Sequence, residues 1–151
     1  MNAKLVELLQ QMLETELGGV KIYQTALECA RNPKLREEWT KYLQQTQKHV
    51  EIMNALLAKV GIGPAETPGS LVVRFIGQSL VHAMHRAKGG GDPAALEIVA
   101  CECVVFAETK DHQNWSLLSK CAEEAEEPLA SALAEACAQV HLAGARVADV
   151  A

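Results

Sequence analysis

NPKLREEWTKYLQQTQKHVEIMNALLAKVG, residues 32–61, is the stretch of sequence that decides the fold. Its apolar residues recur in steps of three and four, which is the spacing of one face of an α-helix. Asn32 and Pro33 interrupt the chain just before this pattern, so the stretch predicts a helix over 34–60. One histidine, His49, stands in the middle of the apolar face. That face comprises Leu35, Trp39, Tyr42, Thr46, His49, Met53, Leu56 and Val60.

The rest of the chain shows the same helical periodicity, and no stretch alternates apolar and polar residues as a strand does. Glycine and proline clusters separate the helices and mark the loops between them. Ser70 is the expected cap of the third helix. The predicted helices cover residues 2–30, 34–60, 71–88, 93–122 and 128–147. The chain is therefore predicted to be all-α.

These helices group into two hairpins and one additional helix. The first hairpin is expected over 2–60, the crossover loop and helix over 61–92, and the second hairpin over 93–151. Hairpins joined by one long crossover build a four-helix bundle whose halves are related by a pseudo-twofold axis. At this length the chain is expected to form a single domain over 1–151.

The first helix of each hairpin carries one glutamate in its predicted inward face. In the first hairpin, that face comprises Leu5, Leu9, Met12, Glu16, Val20, Tyr23, Leu27 and Ala30. In the second hairpin, it comprises Ile98, Cys101, Val105, Glu108, His112, Trp115 and Ser119. An ionised carboxylate in an apolar core is costly unless it is paired, so both glutamates are expected to have partners.

Histidines supply those partners at matching positions. Glu16 and His49 are 33 positions apart (49 − 16), and Glu108 and His141 are also 33 apart (141 − 108). Each pair brackets a predicted turn, about 24 Å of helix from it on either side, so each Glu should face its His. Four ionisable groups are then expected to converge near the middle of the bundle. Carboxylate oxygen and imidazole nitrogen suit iron, manganese or zinc.

Composition excludes several classes of partner. The formal net charge is −5 and no basic run occurs, which argues against a nucleic-acid ligand. No apolar stretch approaches the roughly 20 residues that a membrane helix requires, and the first residues lack the sections of a signal peptide. Five cysteines without a metal-type CxxC spacing indicate reduced thiols. The expected location is therefore the cytoplasm.

Residues 32–61 resemble the YciF-type stress-associated proteins of the ferritin-like superfamily, and the likeness extends over both hairpins. The shared features are a proline-marked turn, a Thr three residues before the His, the tripeptide HVE and a later Gly. The resemblance implies a ferritin-like bundle that binds metal and acts in oxidative or metal stress. It also implies that Glu16 and Glu108 are the lone glutamate ligands, with His49 and His141 as the histidine ligands.

The chain departs from that family's di-iron pattern at both Glu-x-x-His motifs. Thr46 and Ala138 stand three residues before the two histidines, where bridging glutamates belong. Two metals at bridging distance would then lack the anionic ligands that screen them from each other. One metal, two weak sites and an empty polar core all stay open. His112, one turn beyond Glu108, is a candidate substitute ligand.

Two functions follow from this reading. The first is a metal-binding helical protein, and the second is a metal-free structural or interaction module on a degenerate ferritin-like scaffold. The crossover helix carries an apolar face that predicts a homodimer. No residue pattern identifies a reaction or a small-molecule substrate. The predicted dimer face comprises Val72, Phe75, Ile76, Ser79 and Ala83.

Overall fold

The computed structural model of the chain describes the backbone of residues 1–148 and the side chains of residues 1–140. Its helices are α1 (Ala3–Cys29), α2 (Pro33–Val60), α3 (Pro68–Lys88), α4 (Pro93–Glu124) and α5 (Leu129–Ala148). The backbone described contains no β-strand. The all-α prediction is confirmed, and the predicted helix ends agree with the observed ones to within about three residues.

Short polar side chains cap three of the helices and explain where they begin. The side chain of Asn2 accepts a hydrogen bond from the backbone N–H of Leu5 at 2.9 Å. Asn32 accepts one from the backbone N–H of Lys34, also at 2.9 Å. Asp92 caps α4 in the same way. Each such cap satisfies an otherwise unpaired N–H and stabilises its helix by about 1 kcal/mol.

The start of α3 differs from the sequence-based expectation. Thr67 is the cap, and its hydroxyl accepts the backbone N–H of Ser70 at 3.1 Å. The Ser70 hydroxyl in turn accepts the backbone N–H of Thr67 at 2.8 Å, which completes a capping box. The prediction that Ser70 caps a helix beginning at Leu71 was therefore wrong. Pro68 belongs to the first turn of the helix, where a proline lacks only an N–H that would be unpaired anyway.

Four of the helices pack in a ring of pairwise contacts. α1 packs against α2, α2 against α5, α5 against α4, and α4 against α1. The remaining helix, α3, lies outside this ring and packs against α1 and α4. The chain is thus an all-helical bundle in which the crossover helix covers one side. Its assignment to the ferritin-like superfamily stays a prediction.

Two apolar clusters form the core, and a polar layer separates them along the helices. The first core cluster comprises Leu5, Leu9, Met12, Leu13, Ile52, Met53, Leu56, Leu57, Trp115, Leu118, Ala132, Leu133 and Ala136. The second core cluster comprises Ile22, Tyr23, Ala26, Cys29, Ala30, Trp39, Met84, Ala100, Cys103 and Val104. Each fully buried large side chain contributes about 1.5–3 kcal/mol. The polar layer comprises Thr15, Glu16, Thr46, His49, Asp111 and Asn114, of which all but the partly exposed Asp111 are buried.

α4 presents a different face to the core from the predicted one. Ile98 and Val105 were predicted to point inward, but they are 70% and 59% exposed. His112 and Ser119 are exposed as well. The predicted face is wrong because alanine, cysteine and valine occur on several sides of α4, so several faces satisfy the helical period. The buried residues of α4 are Ala100, Cys103, Val104, Asn114, Trp115 and Leu118.

The outer face of α3 is apolar and exposed. Val72, Phe75 and Ile76 expose 58%, 61% and 50% of their surface, so the apolar face predicted on the crossover helix points outward. The homodimer that this face suggested stays a prediction. Within the described part of the chain, every helix is too short or too polar to cross a bilayer. All five cysteines are free thiols.

Candidate metal centre

Three ionisable side chains meet in the polar layer between the two core clusters. They are Glu16 on α1, His49 on α2 and Asp111 on α4. His49 Nδ1 lies 3.4 Å from Glu16 Oε1 and 3.8 Å from Asp111 Oδ1. One ligand atom from each residue lies within 4.8 Å of the other two. Among the described residues, this is the group of His, Cys, Asp and Glu side chains that could hold a metal ion.

Close helix packing brings these residues to one level. A side-chain carbon added at Gly19 of α1 would lie only 3.1 Å from Thr46 Cγ2 of α2, so the glycine lets these two helices approach. α1 and α4 are joined by a hydrogen bond from Asn114 Nδ2 to Thr15 Oγ1 at 3.0 Å. The carboxylate of Glu16, the next residue on α1, is therefore held beside α4.

The indole of Trp115 positions both carboxylates. Its Nε1 donates to Glu16 Oε1 at 2.9 Å and to Asp111 Oδ1 at 3.1 Å. The indole ring also meets the His49 ring edge to face, with ring centres 5.7 Å apart. One donor thus fixes the two oxygens that face the imidazole. In metal sites, residues that hydrogen-bond to the ligands in this way fix the orientation of those ligands.

The imidazole of His49 is the unsatisfied member of the group. Its side chain is 9% exposed, and no group among the described residues forms a hydrogen bond with Nδ1 or Nε2. Glu16 Oε1 lies 3.4 Å from Nδ1, but this contact lacks the direction of a hydrogen bond. Buried polar atoms are nearly always hydrogen-bonded, and leaving one unpaired costs about 1–3 kcal/mol. Within the described residues, the hydrogen-bonding capacity of this ring is therefore unused.

The three groups perturb one another's ionisation. Burial, reinforced by the neighbouring Asp111, raises the pKa of Glu16 to about 8. Burial alone would lower the pKa of His49, but Asp111 and Glu16 outweigh it and raise that pKa to about 10. Burial opposes ionisation of Asp111, yet the neighbouring Glu16 and His49 lower its pKa. The directions of these shifts favour a protonated Glu16, a protonated His49 and an ionised Asp111, which together carry no net charge.

Glu108 lies outside this group. The hydroxyl of Tyr23 donates a hydrogen bond to Glu108 Oε1. Burial raises the pKa of Glu108, and the hydrogen bond from Tyr23 acts in the opposite direction. Tyr23 is 2% exposed and belongs to the second core cluster, so the Tyr23–Glu108 pair lies where that cluster meets the polar layer.

The structure brings together two of the five predicted ligands. Glu16 and His49 meet, as the equal spacing predicted. Glu108 is bonded to Tyr23, and His112 is exposed on the outside of α4. His141 belongs to α5, but its side chain lies outside the described residues. Among the described residues, Glu16 and His49 therefore meet Asp111, while Glu108 and His112 lie apart from them. The place of His141 at the site stays a prediction.

Sequence reasoning missed Asp111. It lies three residues after Glu108 and four before Trp115, which is the spacing of one helical face. His112, its neighbour in sequence, also has the helical spacing that places it on one face with Glu108 and Trp115. Because histidine is a common metal ligand, the sequence-based interpretation favoured His112 over Asp111. Adjacent helical residues point about 100° apart, so only one of the two can face α1 and α2.

The three side chains fit a divalent metal ion. Two ligand atoms about 2.0–2.1 Å from a zinc ion in tetrahedral geometry lie roughly 3.4 Å apart. The observed separations of 3.4 and 3.8 Å from His49 Nδ1 are close to that value. Three protein ligands leave a fourth position for water or another ligand, as in catalytic zinc sites. Asp111, whose side chain is 23% exposed, marks the side from which an ion could enter.

Comparison with known proteins adds no assignment. No protein-family model matches the chain, no curated protein matches it, and no solved structure matches it. The ferritin-like resemblance therefore stays a prediction. The case for a function depends on the geometry and electrostatics of the site.

Proposed function

We propose that this protein binds one divalent metal ion through Glu16 Oε1, His49 Nδ1 and Asp111 Oδ1. The observation that carries the proposal is the buried imidazole of His49, which faces two carboxylate oxygens and, among the residues with described side chains, has no hydrogen-bond partner at either nitrogen. A cation between the three atoms would give Nδ1 a partner. It would also take the place of the protons on Glu16 and His49 that otherwise neutralise the three side chains.

Charge supports a divalent ion. When Glu16 and Asp111 are ionised and His49 is neutral, the three side chains carry a charge of −2, which one such ion neutralises. Without metal, two protons serve the same purpose, one on Glu16 and one on His49. Metal binding is thus an exchange of two protons for one ion, so it depends on pH.

One ion suits the site better than two. The hydroxyl of Thr46, which stands where a bridging glutamate belongs, donates to the backbone carbonyl of Tyr42 at 2.8 Å. Glu108, the second lone glutamate of the family pattern, is bonded to Tyr23. Ala138 provides no ligand atom. The described side chains therefore supply ligands for one metal.

Iron, manganese and zinc are the ions proposed, because the site offers two oxygens and one imidazole nitrogen. As part of the same proposal, the chain is a degenerate member of the ferritin-like superfamily with a role in oxidative or metal stress. The support for this part is the resemblance of residues 32–61 and the central position of Glu16 and His49. The substrate of any reaction at the metal stays unidentified.

Equilibrium dialysis tests the proposal. The purified chain is loaded without oxygen with Zn²⁺, Mn²⁺ or Fe²⁺, dialysed, and measured by elemental analysis. We expect one ion per chain, lost in the variant Asp111→Asn and retained in Glu108→Gln. The second variant is the matched control, since Glu108 is a carboxylate of the same helix that lies outside the site. Metal bound at background level, or lost equally in both variants, would refute a single site at Asp111.

A metal-free module is the second candidate, and one observation favours it. The carboxylic acid of Glu16, the imidazolium of His49 and the carboxylate of Asp111 are together neutral, and Trp115 donates to both carboxyl groups. Such a group can exist without an ion. If it does, a chelator should leave the melting temperature of freshly purified protein unchanged. A fall in melting temperature on chelation would exclude this candidate.

A further inference from the structure

An apolar groove lies where α3 and α4 pack against α1. Its volume is about 680 Å³, within the range of small-molecule sites. Ile22, Ile76, Leu80 and Phe106 are among the side chains that line it. Ile76 and Phe106 expose about half of their surface, so the groove leaves large apolar side chains in contact with water. An apolar ligand would cover them.

The two ends of the groove differ in polarity. On α4, the lining residues before position 108 are apolar and those after it are polar. On α1 the order is reversed, with polar residues through Thr15 and then Gly18 and the apolar Ile22. Because Thr15 contacts Asn114, the polar parts of the two helices lie at the same end. The polar end is lined by Gln11, Glu14, Thr15, Thr109, Lys110 and Gln113.

A cation without an acidic partner lies at the polar end. Lys110 Nζ donates to Asn114 Oδ1 at 2.8 Å, and no carboxylate oxygen among the described residues lies within 4.0 Å of it. The one acid of the groove lining, Glu14, is already paired with Arg74 at 3.1 Å.

The ammonium group of Lys110 is also held in place. Asn114, which accepts its hydrogen bond, is 2% exposed and donates in turn to Thr15 Oγ1 at 3.0 Å. Thr15 donates to the carbonyl of Gln11 at 2.8 Å. A buried chain of hydrogen bonds therefore orients the cation at the groove, although the cation itself has no counter-ion.

We propose that this groove binds an aliphatic carboxylate such as a fatty-acid anion, with the carboxylate on Lys110 and the alkyl chain between α1, α3 and α4. The groove follows α3 from Gly69 to Leu80, about 16 Å of helix, which accommodates an extended chain. A carboxylate supplies the missing counter-ion, and the alkyl chain covers Ile76 and Phe106. The proposal is independent of metal binding at His49.

Titration calorimetry on the full chain tests the proposal with two probes of equal alkyl length, dodecanoate and dodecyltrimethylammonium, both below their micellar concentrations. We expect one dodecanoate per chain and at least about tenfold weaker binding of the cation, because a charge-assisted contact with Lys110 is involved. Lys110→Met should weaken dodecanoate about tenfold or more. Lys120→Met is the matched control, an exposed lysine of the same helix that is not part of the groove.

A second variant blocks the groove without endangering the fold. Gly77 lines the groove, and a Cβ atom added there meets no atom within 4 Å, so the position has room for a side chain. Gly77→Leu also favours the helix, so it should fold and lose dodecanoate binding. Equal affinity for both probes, or unchanged binding in Lys110→Met or Gly77→Leu, would overturn the proposal. So would a dimer seen by light scattering that binds no dodecanoate, since a second copy would then occupy the groove.

The variant His49→Leu separates this proposal from the metal site. It should bind dodecanoate as the unaltered chain does, whether or not the chain binds metal. Loss of dodecanoate binding in His49→Leu, with an unchanged circular dichroism spectrum, would count against an independent groove. Loss of metal binding alone would leave the groove proposal supported.

Discussion

Replacing His49 with leucine should abolish the stabilisation of this protein by zinc. Zinc at about 100 times its dissociation constant stabilises a folded protein by about 2.7 kcal/mol, which for a chain of this length raises the melting temperature by roughly 5–10 °C. Loss of a residue that only hydrogen-bonds to a metal ligand can weaken metal binding by roughly 100-fold. Loss of His49, a ligand itself, should weaken zinc binding by at least as much. The same zinc concentration then contributes only about 0.4 kcal/mol, or roughly 1–2 °C.

Leucine is chosen because it is apolar and similar in volume to histidine, so the contact with Trp115 and the core is largely kept. Differential scanning fluorimetry with and without zinc measures the shift for each variant against its own metal-free melting temperature. His112→Leu is the matched control, since His112 is exposed and should retain the full shift. Equal shifts in the two variants, or no shift in the unaltered chain with zinc, manganese or iron(II), would refute the reasoning.

Three further predictions concern pH, the indole and the α3 face. In the folded protein Glu16 keeps its proton up to about pH 8 and His49 up to about pH 10, whereas in the unfolded chain they release their protons from about pH 4.5 and 6.5. The free energy of unfolding of the metal-free protein should therefore fall as the pH rises through this window. Urea titrations at about pH 5, 7 and 9 measure this free energy, and a rise with pH would contradict the prediction. The substitution Trp115→Phe removes the hydrogen-bond donor to both carboxyl groups and should lower the affinity for zinc about 10- to 100-fold. Competition with a chelator measures this affinity, and an unchanged value would contradict an orienting role for Trp115. Light scattering should give about twice 16.3 kDa for the unaltered chain and a monomer for Phe75→Asp; a monomeric unaltered chain would remove the dimer prediction.

The positions of Glu16 and His49 could be predicted because they depend on local quantities. Helical periodicity places each residue on the inward face of its helix. The number of residues between it and the turn sets its distance from the turn along the bundle axis. Both side chains are buried, and they meet at 3.4 Å. No tertiary information beyond the short turn at Asn32 was needed for this contact.

The third member of the site could not be predicted in the same way. Asp111 and His112 are neighbours on a helix whose alanines, cysteines and valines offer the core more than one acceptable face. Which face turns inward depends on how α4 packs against α1 and α3, and on the bonds from Trp115 to Glu16 and from Asn114 to Thr15. Those contacts join residues 99 positions apart, so no local pattern contains them.

The sequence by itself determined the helices, their ends and the meeting of one glutamate with one histidine, because hydrogen bonding along a helix and the length of a hairpin are local properties. Only the tertiary structure decided that Asp111 joins the group, that Glu108 pairs with Tyr23, and that His49 has no hydrogen-bond partner within residues 1–140. These outcomes depend on the rotation of α4 about its axis. Packing against three other helices sets that rotation, and a repeating apolar pattern leaves it undetermined.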